Sequence, residues 1–514
     1  MYVVVVSIVL GVAAAVLCAG RWLRVAQREH YIAPWTTRLA WLWLTVRPLN
    51  LVLALVALAL AAVALLQGAW CWAAVAAIVI LALLPLGLSV RGRTSKLAWT
   101  DRLRRLAVLW AILVAALATA LFLLLGPAGI AFTLVLLAPL TDLCLVILAP
   151  VEKGLSHKYL VSARKRLGQV RPTVVAITGS YGKTSTKGYI AHLLGARFAV
   201  VASPASFNNL MGLSRSVNER VVPGTEIFVA EMGVYGRGEI RELSKSFPPD
   251  IAAITTIGEA HLARMGSKEV IFQAKAEITE KARIVVLPID EPELAGLADT
   301  CEAEGKTVIR VSVVPGSAAQ VIVDAAAGTV SVAENGAVTT VPVEVPGAGH
   351  AVNIAVAVGI AVALDVPLDA IAPRLHGLPT SANRAEIQKL DNGLAVIDDT
   401  YNANPVGAAR ALEEAAQLAQ ERGSNLVVVT PGMIELGRVQ HARNAEFARS
   451  IAAVGGYLFA VARVNRRALV EGASGGQHPV RTFDRREPAV AAALDQAGDR
   501  GVILYENDLP DHYP

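Results

Sequence analysis

Five long apolar stretches ahead of residue 150 constrain this 514-residue chain more than any other feature. They run roughly over 2–19, 49–67, 71–90, 107–125 and 128–149. A helix needs about 20 mostly apolar residues to cross a bilayer, and in lipid every backbone polar group must be satisfied within the segment. The pattern predicts an α-helical transmembrane bundle of five spans over 1–150, followed by a part that reads as ordinary soluble protein. Composition agrees: 54% of residues are hydrophobic and only 17% charged, against about 25% charged in a typical soluble domain. The first stretch has no basic region ahead of it and no small-residue cleavage site, so it reads as a retained anchor.

Charge orients the bundle. Arg21, Arg24, Arg28, Arg38 and Arg47 follow the first stretch, and Arg91, Arg93, Lys96, Arg102, Arg104 and Arg105 follow the third. Lys153, Lys158, Arg164, Lys165 and Arg166 follow the fifth, while the other two connections carry no charge. Positive loops stay in the cytoplasm. The expectation is a multi-pass protein of the inner (plasma) membrane, with the N-terminus outside and everything after residue 150 cytoplasmic. Because the positives sit beside apolar runs, the net charge of +5 speaks for membrane topology and against a nucleic-acid face. Residues 151–169 read as a basic linker helix on the membrane surface. Asp142, inside the fifth stretch, is either a functional intramembrane carboxylate or one used in helix packing. The four cysteines form no CxxC or Cys/His cluster, which gives no support to a zinc site or a disulfide framework.

After the membrane part the pattern changes to α/β. Val174-Val-Ala-Ile177 is a β-branched run suited to a buried parallel strand, and Ser185–Leu194 has helical spacing. Between them lies Thr178-Gly-Ser-Tyr-Gly-Lys-Thr184. Strand, glycine-rich turn, Lys-Thr and helix together make the setting of a phosphate loop, although two residues separate the glycines where the common motif has four. Glycines let backbone N–H groups approach phosphate oxygens, and the helix N-terminus adds partial positive charge. Gly179, Ser180, Tyr181, Gly182, Lys183, Thr184 and Ser185 are therefore the expected ATP contacts. Lys183 is placed to neutralise the outer phosphates, and the Thr184 hydroxyl to ligate Mg2+. Glu231 ends the apolar run Ile227–Ala230, and His261 follows Ile251–Ile257. A carboxylate and an imidazole at strand ends beside a phosphate loop are positioned to hold metal.

These segments resemble the Mur ligases, the ATP-dependent amino-acid ligases of cell-wall synthesis, and among them the MurF branch that adds D-alanyl-D-alanine. The resemblance spans about 170–470 and is carried by Thr178–Lys187, Phe207-Asn-Asn-Leu-Met-Gly212, Val229-Ala-Glu-Met-Gly233, Pro249–Leu262, Ala274-Lys-Ala-Glu-Ile278, Asp398-Asp-Thr-Tyr-Asn-Ala-Asn-Pro405 and Gly432–Gly437, in the family's order. It implies a central P-loop domain over 170–380 and a Rossmann-like C-terminal domain over 381–514. It also implies ATP with two Mg2+ ions, one held by Thr184 and Glu231 and the other with help from His261. By the same resemblance Lys275 becomes carbamylated and joins the metal site, Asn353 contacts adenine, Arg384 reaches the ATP phosphates, and Asp399 sits near ribose and phosphates. The implied reaction phosphorylates a substrate carboxylate and lets an amine, an amino acid or dipeptide, displace phosphate.

The chain departs from the family in three places. The membrane spans stand where a UDP-sugar-binding domain is normal, which suggests an acceptor linked to a lipid carrier. Gly349 and His350 replace the family's His and first Asn ahead of Asn353. Gly432 replaces an Asp, and the chain closes on Glu506-Asn-Asp-Leu-Pro-Asp-His-Tyr-Pro514, where the branch has a basic stretch. That acidic end reads either as a site for an ammonium-bearing substrate or as a plain tail. Two other functions stay open: a related ligase for another peptide polymer, such as polyglutamate, and a non-catalytic membrane scaffold. Intact Lys183, Thr184, Glu231, His261 and Lys275 argue against the scaffold.

Overall fold

The computed structural model describes residues 2–514 apart from 67, 93–96, 205–206, 335, 346–349, 380–385, 390–392 and 401–403. The first part is built of helices: α1 (Tyr2–Arg28), α2 (Trp35–Val46), α3 (Pro48–Val63), α4 (Trp72–Leu83), α5 (Asp101–Leu125), α6 (Pro127–Val135) and α7 (Leu137–Val170). Among the described residues, α1, α5 and the stretch Pro48–Leu66 are long and apolar enough to cross a membrane. Two of the five expected spans take other forms. The third is a shorter apolar helix, Gly68–Leu83, because Pro85 disfavours helical backbone at the residue before it. The fifth is a pair, α6 and α7, bent by 64°. Pro139 accounts for the bend: in a continuous helix its ring would strike the carbonyl of Val135, four residues back. The helices meet through small residues. Ala57, Ala61, Ala74 and Ala77 are buried, and a Cβ on Gly11 would run into Ile130, which is how backbones approach closely in a membrane.

Asp142 has a structural partner. Its carboxylate accepts from the Thr37 hydroxyl at 2.6 Å, from the Thr37 amide at 2.8 Å and from the Thr36 amide at 3.3 Å. These are first-turn amides of α2, which its own Pro34 cap does not satisfy. Of the two sequence readings of Asp142, this is the packing one.

The basic segment 151–169 is not a separate surface helix. It is the continuation of α7, a 34-residue rod about 50 Å long, and it docks on the catalytic part. Asn218 donates to the Tyr159 carbonyl at 3.0 Å, Arg166 to the Val221 carbonyl at 2.9 Å and Arg164 to Ser246 at 3.2 Å.

Two sheets follow. The first joins β1 (Thr173–Thr178), β2 (Val200–Ala202), β3 (Ile227–Glu231), β4 (Ile251–Ile254), β5 (Ile284–Pro288), β6 (Thr307–Ser312), β7 (Val321–Asp324), β8 (Thr329–Glu334) and β9 (Ala337–Pro342) in the order β2-β3-β1-β4-β5-β6-β7-β8-β9. The pairings from β2 through β7 are parallel and the last two antiparallel. Its central strands are buried on both faces, which explains why they read as unbroken apolar runs. The second sheet joins β10 (Glu386–Lys389), β11 (Ala395–Asp399), β12 (Leu426–Thr430), β13 (Tyr457–Val461), β14 (Arg481–Phe483) and β15 (Val502–Glu506) in the order β10-β11-β15-β12-β13-β14.

In the first sheet, β1 lies between β3 and β4 with Ile177 opposite both Glu231 and Ala253. The loop after β1, the end of β3 and the loop after β4 therefore leave the same carboxyl edge side by side. In an open α/β sheet this edge, where strand order switches, is where ligands bind.

Candidate active site

At that edge β1 turns into helix α8 (Lys183–Leu194) through Gly179 and Gly182. Gly182 has φ +78°, and a Cβ there would run into the Asn353 carboxamide. Glycine is thus needed twice at one position, for backbone conformation and for space. The loop is pinned from β4: Ser180 N–H donates to the Thr256 carbonyl at 2.8 Å, Tyr181 N–H to the Thr256 hydroxyl at 3.2 Å, and the Thr255 hydroxyl to the Tyr181 carbonyl. Helix α8 begins at Lys183, so its first turn and dipole end face the loop.

Glu231 is buried and surrounded by donors. It accepts from Lys187 at 2.8 Å, from the Thr184 hydroxyl at 3.1 Å and from Asn208 at 3.4 Å. Sequence reasoning assigned no role to Lys187 or Asn208, although both lie inside quoted motifs. Lys187 could have been found: four residues after Lys183, it lies on the same helix face.

Lys275 would read from sequence alone as a solvated helix lysine. The structure buries it, with Nζ donating to the Gly179 carbonyl at 3.0 Å. Lys183 Nζ donates to the same carbonyl at 2.7 Å. Burial first, and the Lys183 charge second, hold the Lys275 amine well below its ordinary value. A neutral amine is the form that takes up CO2 to become a carbamate.

His261 has φ +60° and presents Nδ1 to Glu435 Oε2 at 2.7 Å. Burial lowers its pKa more than Glu435 raises it, and Lys183 and Lys275 lower it further. Burial thus favours the neutral ring, and a hydrogen on Nδ1 facing Glu435 would leave Nε2 as the acceptor. Burial alone would raise Glu435, but His261 and Arg264 outweigh it and hold that carboxyl at about 2. Glu435 had no assigned role; 174 residues separate it from His261, and no local pattern links the two.

Asn353 lies beneath the loop, accepting from the Thr186 hydroxyl at 3.1 Å. Nearby His350 Nδ1 bonds the Tyr189 hydroxyl at 2.7 Å. Asp399 ends β11 opposite Glu506 of β15, and burial, then the Asp399 charge, push the Glu506 carboxyl well up. Arg384 and Asn402 lie outside the described residues. Gly432 has φ +73°, and a Cβ there would meet Asn444 and Asn465, so the family's Asp does not fit this turn.

One cleft of about 1900 Å3 brings these groups together. Its lining includes Lys183, Thr184, Glu231, His261, Lys275, Asn353 and Asp399. It also includes residues from outside the two sheet domains: Arg28 and Glu29 at the end of α1, His30 and Ile32 just after it, and Tyr159 of α7. The acidic chain end is docked and not a free tail, and Asn507, Asp508, Pro510, His512 and Tyr513 line the same cleft. Asp511 pairs with Arg24 of α1 at 2.6 Å, His512 with Glu29 at 2.9 Å, and the His512 carbonyl accepts from Trp43 of α2 at 2.9 Å.

The residues fit a nucleotide with divalent metal. Residues 180–185, the glycine turn and the first turn of α8, line the cleft, and Thr184 with Glu231 offers a hard-oxygen pair. Among the described residues no group of three or more His, Cys, Asp or Glu side chains is arranged around a metal position, so phosphate oxygens and a Lys275 carbamate would have to complete the ligand set.

Comparison with known proteins bears on this arrangement directly. Residues 177–361 match the Mur ligase middle domain, and 383–505 match the Mur ligase glutamate ligase domain. The UDP-N-acetylmuramoyl-tripeptide–D-alanyl-D-alanine ligase of Mycobacterium tuberculosis is 31% identical over 360 residues, covering 66% of this chain and 68% of that one. The Bacillus subtilis ligase of the same name is 31% identical over 294 residues, covering 55% and 61%. Among solved structures, MurF from Acinetobacter baumannii superimposes with a TM-score of 0.59 at 23% identity, over 69% of this chain and 77% of that one. MurF from Thermotoga maritima in complex with ADP gives 0.58 at 23% identity, over 69% and 80%. With both domains matched and the phosphate loop, Glu231, His261 and Lys275 gathered in one cleft, the chain belongs to the Mur ligase family of ATP-dependent peptide ligases.

Proposed function

We propose that this protein is a MurF-type ligase of peptidoglycan precursor synthesis that works at the membrane surface, joining an amine to a carboxylate carried on a lipid-linked acceptor. The observation that carries the lipid-linked part is the cleft wall: Arg28, Glu29, His30 and Tyr159, all on or beside membrane helices, line the same cleft as Lys183 and Lys275. An acceptor anchored in the bilayer would reach the phosphate loop along that wall. The orientation with the N-terminus outside is supported by where the positive segments meet. Arg24 donates to the Ser89 carbonyl at 2.6 Å and Gln27 to the Ala98 carbonyl at 2.7 Å, so the ends of α1 and the third stretch gather on the catalytic side. Five passes, with α4 as a short span and α6–α7 as a bent one, satisfy that orientation.

In the reaction the acceptor carboxylate attacks the γ-phosphorus of ATP, the bridging oxygen leaves with ADP, and an acyl phosphate forms. The amine then attacks the acyl carbon, loses its proton as the amide forms, and inorganic phosphate departs. Phosphorylation turns a poor leaving group into a good one. Lys183 and the first turn of α8 hold the phosphates, and Arg384 would add charge from the C-terminal domain. Thr184 and Glu231 would hold one Mg2+, with His261 and carbamylated Lys275 at a second, supplying positive charge to the phosphoryl group in transfer. Lys187 and Asn208 keep Glu231 in place, and Glu435 keeps His261 in one tautomer. Most of the acceleration is positioning and fixed charge.

The test is a product assay on the full-length protein in lipid nanodiscs, with ATP, a panel of amines including D-alanyl-D-alanine, and both UDP-linked and lipid-linked acceptors. ATP-dependent amide formation, faster on the lipid-linked acceptor, is expected. A clear preference for the UDP-linked acceptor would overturn the lipid-linked part, and ATP-independent or absent ligation the rest.

A further inference from the structure

We propose that Glu29, at the end of the first membrane helix, is a positioning residue of the ligase site, acting through Arg264 and Glu435 to fix the imidazole of His261. The membrane domain is then part of the catalytic apparatus as well as its anchor. The inference rests on the ligase reading of the site, in which His261 serves the second metal.

The geometry is a continuous chain of contacts. Glu29 Oε2 meets Arg264 Nη2 at 2.9 Å, and the same nitrogen meets Glu435 Oε1 at 3.0 Å. The other oxygen of Glu435 holds His261 Nδ1 at 2.7 Å. One guanidinium nitrogen thus bridges a membrane-helix carboxylate and a carboxylate of the C-terminal domain. The Arg264 side chain is 6% exposed and that of Glu29 5%. At such burial an ion loses its water and depends on fixed partners for its position. The remaining faces of Arg264 pack on rings: its guanidinium lies 4.4 Å from the Trp35 ring and 5.0 Å from that of Tyr235. Tyr235 in turn stands edge-on to His261 at 4.9 Å and stacks on His30 at 5.6 Å. Rings limit how far the guanidinium can tilt, but they supply no negative charge. Glu29 supplies it, and Glu29 is itself held from behind by His512 Nε2 at 2.9 Å.

Removing the Glu29 charge would leave Arg264 buried against Glu435 alone. The stronger pull on Glu435 would draw its carboxylate away from His261, and the imidazole would lose its fixed tautomer and angle. Outer partners of a metal-binding histidine typically change metal affinity or activity by about 10- to 100-fold.

The experiment uses full-length protein in nanodiscs and reads Mn2+ affinity by electron paramagnetic resonance in the presence of a non-hydrolysable ATP analogue. It compares wild type with Glu29→Gln, Glu29→Asp and, as a control, Glu152→Gln. The control breaks a membrane-helix ion pair with Arg105, 2.6 Å long, that does not line the cleft. Glu29→Gln is expected to weaken Mn2+ binding by about 10- to 100-fold while leaving analogue affinity in the absence of metal unchanged. Glu29→Asp is expected to recover part of the loss, and Glu152→Gln to bind as wild type. Thermal unfolding of each variant separates folding defects from loss of position. Wild-type Mn2+ affinity in a folded Glu29→Gln protein would overturn the proposal, as would an equal loss in Glu152→Gln. Because no acceptor or amine is present, the readout stands even where the product assay above finds no ligation.

Discussion

Gly182→Ala offers the sharpest test of how the phosphate loop is built. The substitution adds one methyl group at φ +78°, directly against the Asn353 carboxamide. Left-handed backbone costs a non-glycine residue roughly 1–2 kcal/mol. To make room, Asn353 must move and give up the Thr186 hydroxyl, a bond of 3.1 Å worth about 1 kcal/mol net. Together that is roughly 2–3 kcal/mol, which the loop can avoid only by leaving its phosphate-binding shape. Binding nucleotide must then restore the shape, so the cost appears in affinity, at about 1.4 kcal/mol per tenfold: roughly a 30- to 150-fold weaker dissociation constant. The assay is calorimetric titration of the full-length variant with a non-hydrolysable ATP analogue. Adding Asn353→Ala costs that residue's own nucleotide contact but removes the clash, so the losses in the double variant should combine less than additively. Wild-type affinity in Gly182→Ala, or fully additive losses in the pair, would refute the reasoning.

Further outcomes follow from the same structure. Lys275→Ala should lower ADP release by at least about 100-fold, and a short carboxylate such as acetate should restore part of it. Wild type depleted of CO2 should lose activity and regain it with bicarbonate, because burial and Lys183 keep the amine in its neutral, carbamate-forming state. Asp511→Ala strips the partner from Arg24, whose side chain has no exposed surface, and should destabilise the docked chain end by about 3–5 kcal/mol; limited proteolysis should cut the tail in the variant and spare it in wild type. Asp142→Asn weakens the capping of α2 and should cost about 1 kcal/mol of stability in the N-terminal helical part with ligase turnover unchanged; lost turnover at unchanged stability would return Asp142 to a functional role.

Local chemistry made part of this molecule legible in its sequence. The phosphate loop announces itself because glycines, lysine and threonine must sit at fixed offsets between a strand and a helix. Glu231 could be placed because it ends a strand whose apolar run is unmistakable. The apolar stretches were equally plain, but their form was not: Pro139 and Pro85 break two of them, and length alone does not weigh a proline. What stayed hidden depends on long-range pairing. Lys275 looks solvated until the sheet edge closes over it. Glu435 acquires meaning only beside His261, and Glu29 only beside Arg264, 235 residues away. The docking of the acidic chain end was hidden for the same reason, since Arg24 and Trp43 receive it from the far end of the sequence.

The contact between the two catalytic domains is polar, and that sets how it should respond to its surroundings. The loop after β4 meets the turn after β12: Ala263 N–H donates to the Glu435 carbonyl at 2.8 Å, and Arg443 grips Glu259 at 2.6 Å. Charged contacts of this kind can open and re-form without exposing apolar surface, which suits domains that must close over a substrate. The buried and exposed halves should behave differently. Arg443 is partly exposed, so salt screens it. Glu435 is more protected, and its carboxyl sits at about 2 against an ordinary 4.5. A carboxyl held low contributes fully above its unfolded value and loses that contribution as pH falls through the folded one. The gain is on the order of 3 kcal/mol by the shift alone. The stability difference between wild type and Glu435→Gln should therefore be constant near neutral pH and shrink below about 4.5, while added salt reduces the effect of Arg443→Ala and leaves that of Glu435→Gln in place. A Glu435→Gln effect that fades with salt at neutral pH would place that carboxylate in solvent and break the path from Glu29 to His261.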